Sequence, residues 1–362
     1  MGLFLPTVLF AQDNQNKTTG LVATLQKDSS AVNPDAQTKY NEGVTAFESK
    51  NLDEAIAKFT EALAIEPKFG KALMNRGTAF YEKKKFPEAI KDFDAAAMLN
   101  DSSAHNAWYM KGTVQMETGD LEGAQASFGK AVEKRFNEAK YHYNLGVAHF
   151  QLGKYEDALT DYNNAIRFKP NYPYAFNDRA STKKKLGDLD GAVKDYEEAI
   201  RLTPNMAIAY NNLGSVKRLK GDYNGAIQEY NNAIRLKKDY VIAYNNRGMA
   251  KMDAGKYEEA IADFTEAIKL DPKYAYAYNN RAACYIKQQK YKEAIADCDK
   301  AIQIDANYGL AYLNRGIAKE MTRDLAGACS DWENAAAMGV ESAETYYNIY
   351  GVCSEVEKYK KN

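Results

Sequence analysis

The chain has 362 residues, with 48 lysines and arginines against 49 aspartates and glutamates, giving a net charge of −1. The two signs are interspersed, so the basic stripe that a nucleic-acid or membrane-surface role requires is missing. The apolar fraction, 45%, suffices for a packed interior, yet no stretch approaches the roughly 18 consecutive apolar residues of a membrane span.

In chain order, residues 1–11 (MGLFLPTVLFA) carry an apolar run from Leu3 to Phe10, followed at once by Gln12-Asp13-Asn14-Gln15-Asn16. This is the pattern of the apolar core and cleavage region of a secretory signal peptide, cut after Ala11. It predicts a periplasmic or secreted protein, with a cytoplasmic one as the alternative. No Lys or Arg precedes the run, the first being Lys17, which leaves open a start upstream of Met1. An unstructured N-terminus, or a helix docked on the first folded segment, are the other readings of the run. Residues 12–35 are polar and read as a flexible lead-in.

From residue 36 onward one unit is copied. Its clearest copy, Ala243–Tyr274, holds two amphipathic helices. The first carries Ala243, Tyr244, Gly248 and Lys251, and a break follows at Asp253–Lys256. The second has Tyr257, Ala260, Ile261, Phe264, Ala267, Ile268 and Leu270 on one face, spaced three and four apart. Asp271-Pro272 stops it. A small residue recurs at Gly43, Gly77, Gly112, Gly146, Ala180, Gly214, Gly248, Ala282 and Gly316, every step being 34 residues except one of 35. Alanines follow at fixed distances, such as Ala260 and Ala267. An aromatic stands between them in every copy (Phe59, Tyr196, Phe264, Trp332) except at Cys298. The 105–138 copy is the weakest, with Trp108 and Met110 replacing the usual Tyr and Asn and no closing proline.

A hairpin of this kind cannot bury its apolar face alone, so the copies stack. The period and the pattern of small residue, alanine, aromatic and proline resemble the tetratricopeptide repeat (TPR) family. The resemblance implies an all-α fold: a right-handed superhelical α-solenoid of nine helix-turn-helix repeats whose first helices line a concave groove. The repeats run 36–69, 70–104, 105–138, 139–172, 173–206, 207–240, 241–274, 275–308 and 309–342. Residues 343–362 form a capping helix and charged tail.

Two positions before each small residue stands Asn41, Asn75, Met110, Asn144, Asp178, Asn212, Asn246, Asn280 or Asn314, and Asn348 continues the column into the cap. Asparagine is an indifferent helix former, so its recurrence calls for a reason. If the family geometry holds, the column faces the groove. A primary amide offers an acceptor and two donors and can hold the main chain of an extended peptide without reading its side chains. The column resembles the asparagine ladder of the O-linked N-acetylglucosamine transferase superhelix. Amides bonded to each other or to adjacent helices, merely fixing the stacking, are the competing reading. One position earlier lie Asn177, Asn211, Asn245 and Asn279, and four positions before the column come Tyr174, Ile208, Ile242, Tyr276 and Leu310. The expected binding residues are therefore Asn144, Asp178, Asn212, Asn246, Asn280 and Asn314, with Asn211, Asn245, Asn279, Tyr174 and Tyr276 beside them.

Other TPR proteins bind a chaperone's terminal carboxylate through a clamp whose asparagine lies one turn further along the first helix. Val44, Thr78, Thr113 and Val147 occupy that position here, which speaks against this mode. Arg76, Arg179, Arg247, Arg281 and Arg315 each have an aspartate sixteen residues later, read as exposed ion pairs of about 0–1 kcal/mol. Cys329 and Cys353 fall roughly level on antiparallel helices, which suggests a disulfide pinning the cap. Cys284 and Cys298 read as buried thiols. His142 and His149 stand too far apart to chelate one metal, and no nucleophile-base pair or phosphate-cradling loop stands out. The expectation is a non-enzymatic scaffold with a protein or peptide partner, no cofactor, no metal, no nucleic acid and no integral membrane segment. A cytoplasmic adaptor, a self-associating structural array, or a subunit that positions a catalytic partner are the rivals.

Overall fold

The computed structural model describes residues 32–99, 102–349 and Cys353. The apolar leader, almost all of the lead-in and the tail beyond Cys353 therefore lie outside the described residues. Among those described there are nineteen α-helices and no strand. They divide into two compact units, one ending at Leu202 and one beginning at Thr203.

The first unit holds five hairpins: α1 (Pro34–Glu48) with α2 (Leu52–Ile65), α3 (Gly70–Glu82) with α4 (Phe86–Met98), α5 (Ala104–Thr118) with α6 (Leu121–Lys134), α7 (Ala139–Gln151) with α8 (Tyr155–Phe168), and α9 (Pro173–Lys185) with α10 (Leu189–Leu202). The second holds four: α11 (Ala207–Leu219) with α12 (Tyr223–Leu236), α13 (Val241–Asp253) with α14 (Tyr257–Leu270), α15 (Ala275–Lys287) with α16 (Tyr291–Ile304), and α17 (Gly309–Met321) with α18 (Leu325–Ala337). A last helix, α19 (Glu341–Ile349), packs on α18. Helix α1 starts two residues before the sequence boundary at 36. The Asn33 side chain caps it by accepting from the Asp35 and Ala36 amides at 2.9 and 3.4 Å, and Pro34 is pre-set for the first turn.

Inside each hairpin the small residue of the first helix lies on the aromatic of the second. A Cβ added at Gly248 would sit 2.7 Å from the Phe264 ring, and one at Gly214 would sit 2.8 Å from Tyr230. The aromatics there are almost fully buried, and truncating one to alanine would cost about 3–5 kcal/mol. In the α15–α16 hairpin both partners change together: Ala282 fills what glycine leaves elsewhere, and the small Cys298 makes room for it.

The arginine–aspartate pairs differ from the sequence expectation of exposed, weak bridges. Each is a two-pronged fork: Arg247 Nε and Nη2 donate to the two Asp263 carboxylate oxygens at 2.9 and 2.5 Å. Asp92, Asp195, Asp263, Asp297 and Asp331 are all buried. The third arginine nitrogen reaches the second helix of the preceding hairpin, as from Arg247 to Asn231 at 2.7 Å and from Arg281 to Thr265 at 2.9 Å. A bidentate fork onto a buried carboxylate is worth more than a surface pair, and losing the arginine would strand the charge. The α7–α8 hairpin departs from this. Leu145 replaces the arginine, and Asp161 is met instead by His149 Nδ1 at 2.7 Å.

The turn joining the two helices of a hairpin needs a left-handed residue. Gly119, Gly153, Gly187, Gly221 and Gly255 supply it, but Lys50, Lys84, Gln289 and Arg323 adopt it with φ of 62°, 59°, 61° and 70°. Left-handed backbone costs a side-chain-bearing residue about 1 kcal/mol. Gln289→Gly, at an exposed position, is therefore expected to raise stability by about 0.5–1 kcal/mol, partly offset by glycine's freedom in the unfolded chain. Urea unfolding would register it, and an unchanged or lower midpoint would contradict the strain.

At the C-terminal end Tyr346 packs against Trp332 with ring centroids 5.4 Å apart. Cys329 of α18 is joined by a disulfide to Cys353, 24 residues later. Cys353→Ser is expected to destabilise the second unit by on the order of 3 kcal/mol. The same loss should accompany reduction of the parent protein, and a melting curve insensitive to reductant would speak against a closed bridge.

Candidate functional site

Within each unit, first helices approach first helices: α1 with α3 and α7 with α9 in one, and α11 with α13, α13 with α15 and α15 with α17 in the other. Successive second helices make no comparable approach among the described residues. The first helices thus form the inner wall of each unit, and the asparagine column lies on them.

The column's hydrogen bonds obey a rule that the sequence did not announce. In the second unit three column amides, Asn246, Asn280 and Asn314, each donate to the residue 35 positions earlier, one place before the preceding rung. Asn246 Nδ2 reaches Asn211 Oδ1 at 3.0 Å, Asn280 reaches Asn245 at 3.0 Å, and Asn314 reaches Asn279 at 2.8 Å. In the first unit the acceptor is a tyrosine hydroxyl: Asn75 to Tyr40 at 3.0 Å and Asn144 to Tyr109 at 3.4 Å.

This corrects part of the expected site. Asn211, Asn245 and Asn279 are only 6%, 4% and 4% exposed; they are the footings of the rungs and do not face a ligand. Asn177 is likewise buried and donates to Asp178 at 2.8 Å. Asp178, fully buried, also accepts from the Tyr143 hydroxyl at 2.8 Å, so it cannot serve as a rung. Asn144 spends its amide hydrogens on Tyr109 and on the Lys140 carbonyl at 2.8 Å. Asn246, Asn280 and Asn314 remain half-exposed, each with its carbonyl oxygen and one N–H uncommitted. Asn212 and Tyr174 are half-buried. Tyr276 is half-buried too and stands between Tyr274 and Tyr308, with centroids 5.5 and 5.1 Å away. The footings at Asn211, Asn245 and Asn279 are thus bonded to the next hairpin, and Asn246, Asn280 and Asn314 spend one N–H in the same bonds.

Among the described residues no group of His, Cys, Asp or Glu is arranged to hold a metal ion, and no helix is long and apolar enough to cross a membrane. Cys284 and Cys298 are buried and free. Burial pushes the Cys284 thiol up to about 12 and that of Cys298 higher still, the opposite of what a nucleophile needs.

Tetratricopeptide repeat profiles match residues 40–107 and 245–309, 139–172 and 105–134, and a TPR repeat profile matches 180–217 and 214–253. The chain is 36% identical over 144 residues to tetratricopeptide repeat protein 36 of Xenopus tropicalis, covering 38% of this chain and 71% of that one. The chain belongs to the tetratricopeptide repeat family.

Identity is 30% over 132 residues to RNA polymerase II-associated protein 3 of Xenopus laevis and 28% over 112 residues to the heat-shock protein cognate co-chaperone sgt12 of Aspergillus fumigatus. The matched segments span 36% and 31% of this chain but only 20% and 33% of those proteins. A crystallised TPR protein from Parabacteroides merdae superposes with a TM-score of 0.58 at 20% identity, over 69% of this chain and 98% of that one. The Cut9–Hcn1 structure gives 0.57 at 14% identity, over 88% and 76%. These likenesses carry the fold. As a TPR protein the chain is a protein–protein interaction scaffold, of a family that is generally non-catalytic.

One position of the column is an acid. Burial lifts the Asp178 carboxyl from its ordinary 3.8 to about 7, against the lowering pull of the Tyr143 and Asn177 hydrogen bonds. The folded state then holds the proton more tightly than the unfolded chain. The contribution is fully present below about pH 4 and is lost as the pH rises to about 7. Asp178→Asn restores the column residue, whose amide can donate to Tyr143 as Asn75 does to Tyr40. The substitution is expected to be near neutral at pH 4 and to stabilise by on the order of 3 kcal/mol at pH 8. Paired melts at the two pH values check this, and equal effects at both would refute a buried, proton-holding Asp178.

Proposed function

We propose that this TPR array holds an extended segment of a partner protein against the inner wall formed by α13, α15 and α17. The observation that carries the reading is the half-used rung. Asn246, Asn280 and Asn314 each commit one N–H to the preceding hairpin and keep an acceptor and a donor on a half-exposed face. That is the complement of a peptide unit, and the anchoring bond fixes each amide before any ligand arrives, which lowers the ordering cost of binding.

We also propose that the array works in a bacterial cell envelope. The apolar run at residues 1–11 supports export. The Cys329–Cys353 bridge supports an oxidising compartment, since such bonds rarely persist in a reducing cytosol. We do not extend the co-chaperone role in the name of the Aspergillus relative to this chain. The clamp positions are taken by Thr78 and Val147, which are buried, and the Thr78 and Thr113 hydroxyls are turned onto the Met74 and Tyr109 carbonyls.

A photo-crosslinking residue placed at Tyr276 in the native host tests the groove, with Glu266 on an outer helix as the comparison. Crosslinked peptides from Tyr276 should map to one contiguous partner segment that Glu266 does not capture. Equal capture from both positions, or from Glu266 alone, would remove the groove from the function.

A further inference from the structure

On the reading just proposed, we infer that the segment held by the second unit is uncharged, lies in a polyproline-II-like conformation and carries an apolar side chain at every third residue. The argument starts from what flanks the rungs. One helical turn before Asn246, Asn280 and Asn314 stand Ile242, Tyr276 and Leu310. Three residues after them stand Met249, Ala283 and Ile317. All six are half-exposed. At about 1.5 Å rise per residue these lie about 6 Å to one side of the amides and about 4.5 Å to the other, on the same helix face. The wall therefore presents three parallel lanes, apolar, amide and apolar.

None of the nine lane positions in α13, α15 and α17 is itself a charged residue. Arg247, Arg281 and Arg315 point away and are locked in forks with Asp263, Asp297 and Asp331. Charge flanks the lanes on both sides, at the exposed Asp239 and Lys273 three residues before Ile242 and Tyr276 and at Asp253, Lys287 and Glu320 beyond the second apolar lane, and Asp253 is already paired with Arg218 at 2.5 Å. A charged side chain of the partner lying on the lanes would lose water and gain no counter-ion, so the matching segment is neutral there.

The conformation is set by spacing. Packed helices lie about 8–10 Å apart, which fixes the interval between successive rungs and between successive lane residues. A polyproline-II chain repeats every three residues and advances about 9.3 Å per turn, so every third side chain returns to the same lane. Its backbone makes no internal hydrogen bonds, which leaves one peptide unit per turn free for each rung. A β-strand has a side-chain period of two and a rise of about 3.3 Å, and its side chains fall out of step with the lanes after one hairpin.

Fluorescence anisotropy on the full chain tests this with labelled synthetic 15-residue peptides in a neutral serine–proline background. One has valine at every third position, one has the same composition with valine at every second position, and two have glutamate or lysine at the third positions. The period-three valine peptide should bind about tenfold or more tightly than the others. Asn280→Ala should weaken it, with folding verified by circular dichroism. That variant strips buried Asn245 of its donor, so Ile242→Asp on the half-exposed flank is the second variant and should weaken the same peptide by a similar factor. If the period-two or a charged peptide binds as tightly, and does so through Asn280, the inference is overturned while the groove reading stands. If no peptide binds in an Asn280-dependent or Ile242-dependent way, both fall.

Discussion

The close approach of two helix backbones inside each hairpin is the constraint on which the whole architecture depends. It exists because a residue with little or no side chain lies against an aromatic ring that is nearly cut off from water. Where Gly248 meets Phe264, even one added carbon would stand 2.7 Å from the ring, so the pairing fixes both the separation and the rotation of the helices. The rotation decides which residues of the first helix look inward. Asn246, two places before the glycine, reaches the wall, and Arg247, one place before it, is sent to the opposite side, where its fork on Asp263 ties one hairpin to the next. Stacking and binding surface are in this sense the same fact seen from two faces of one helix.

On the proposed reading, the amide ladder serves structure and ligand together. A free amide on a helix surface is mobile and competes for its own backbone. Here one hydrogen of each rung is tied to a buried amide oxygen, and that oxygen, at Asn211, Asn245 or Asn279, would otherwise be a buried acceptor without a partner, a costly arrangement. The bond stabilises the stack and pre-sets the rung. It also means that a rung cannot be altered without touching stability, so on the proposed reading affinity and melting temperature are coupled at these positions. A binding test there needs a flank residue beside it.

The period, the hairpins, their order and the small-residue contacts were legible because they depend on residue type at fixed spacing. Which of two adjacent asparagines faces outward was not. Asn245 and Asn246 are chemically identical, and their fates are set by a rotation of about 100° per residue and by the offset of the neighbouring hairpin. In hindsight the signal was the doublet itself: Asn211-Asn212, Asn245-Asn246 and Asn279-Asn280 place a footing and a rung side by side, with the partner 35 residues on. The arginine forks were legible as pairs but not as buried ones, because the sixteen-residue spacing says nothing of how deeply Asp263 sits beside Phe264. The left-handed turns at Lys50, Lys84, Gln289 and Arg323 were hidden for a similar reason. Glycine advertises such a turn, and a lysine or glutamine that tolerates it does not.

The two units use the same geometry with different chemistry, and the difference bears on where binding is concentrated. In the first, the footings at Tyr40 and Tyr109 are phenols, whose rings also pack against Phe59 and Phe128 at 5.8 and 5.7 Å. The hydroxyl is then a by-product of a hydrophobic contact. Asn75 keeps the half-used form with one N–H on Tyr40, but Asn144 turns its amide hydrogens onto Tyr109 and its own helix, and Asp178 is lost to the interior altogether. In the second unit the footings are amides with little hydrophobic work to do at that position. The apolar contact area has moved outward instead, to Ile242, Met249, Tyr276 and Leu310, where it flanks the rungs. Exchanging tyrosine for asparagine at the footing thus trades core packing for an exposed, uncharged, apolar-edged wall. On the reading proposed above, that exchange is what a surface holding another chain requires.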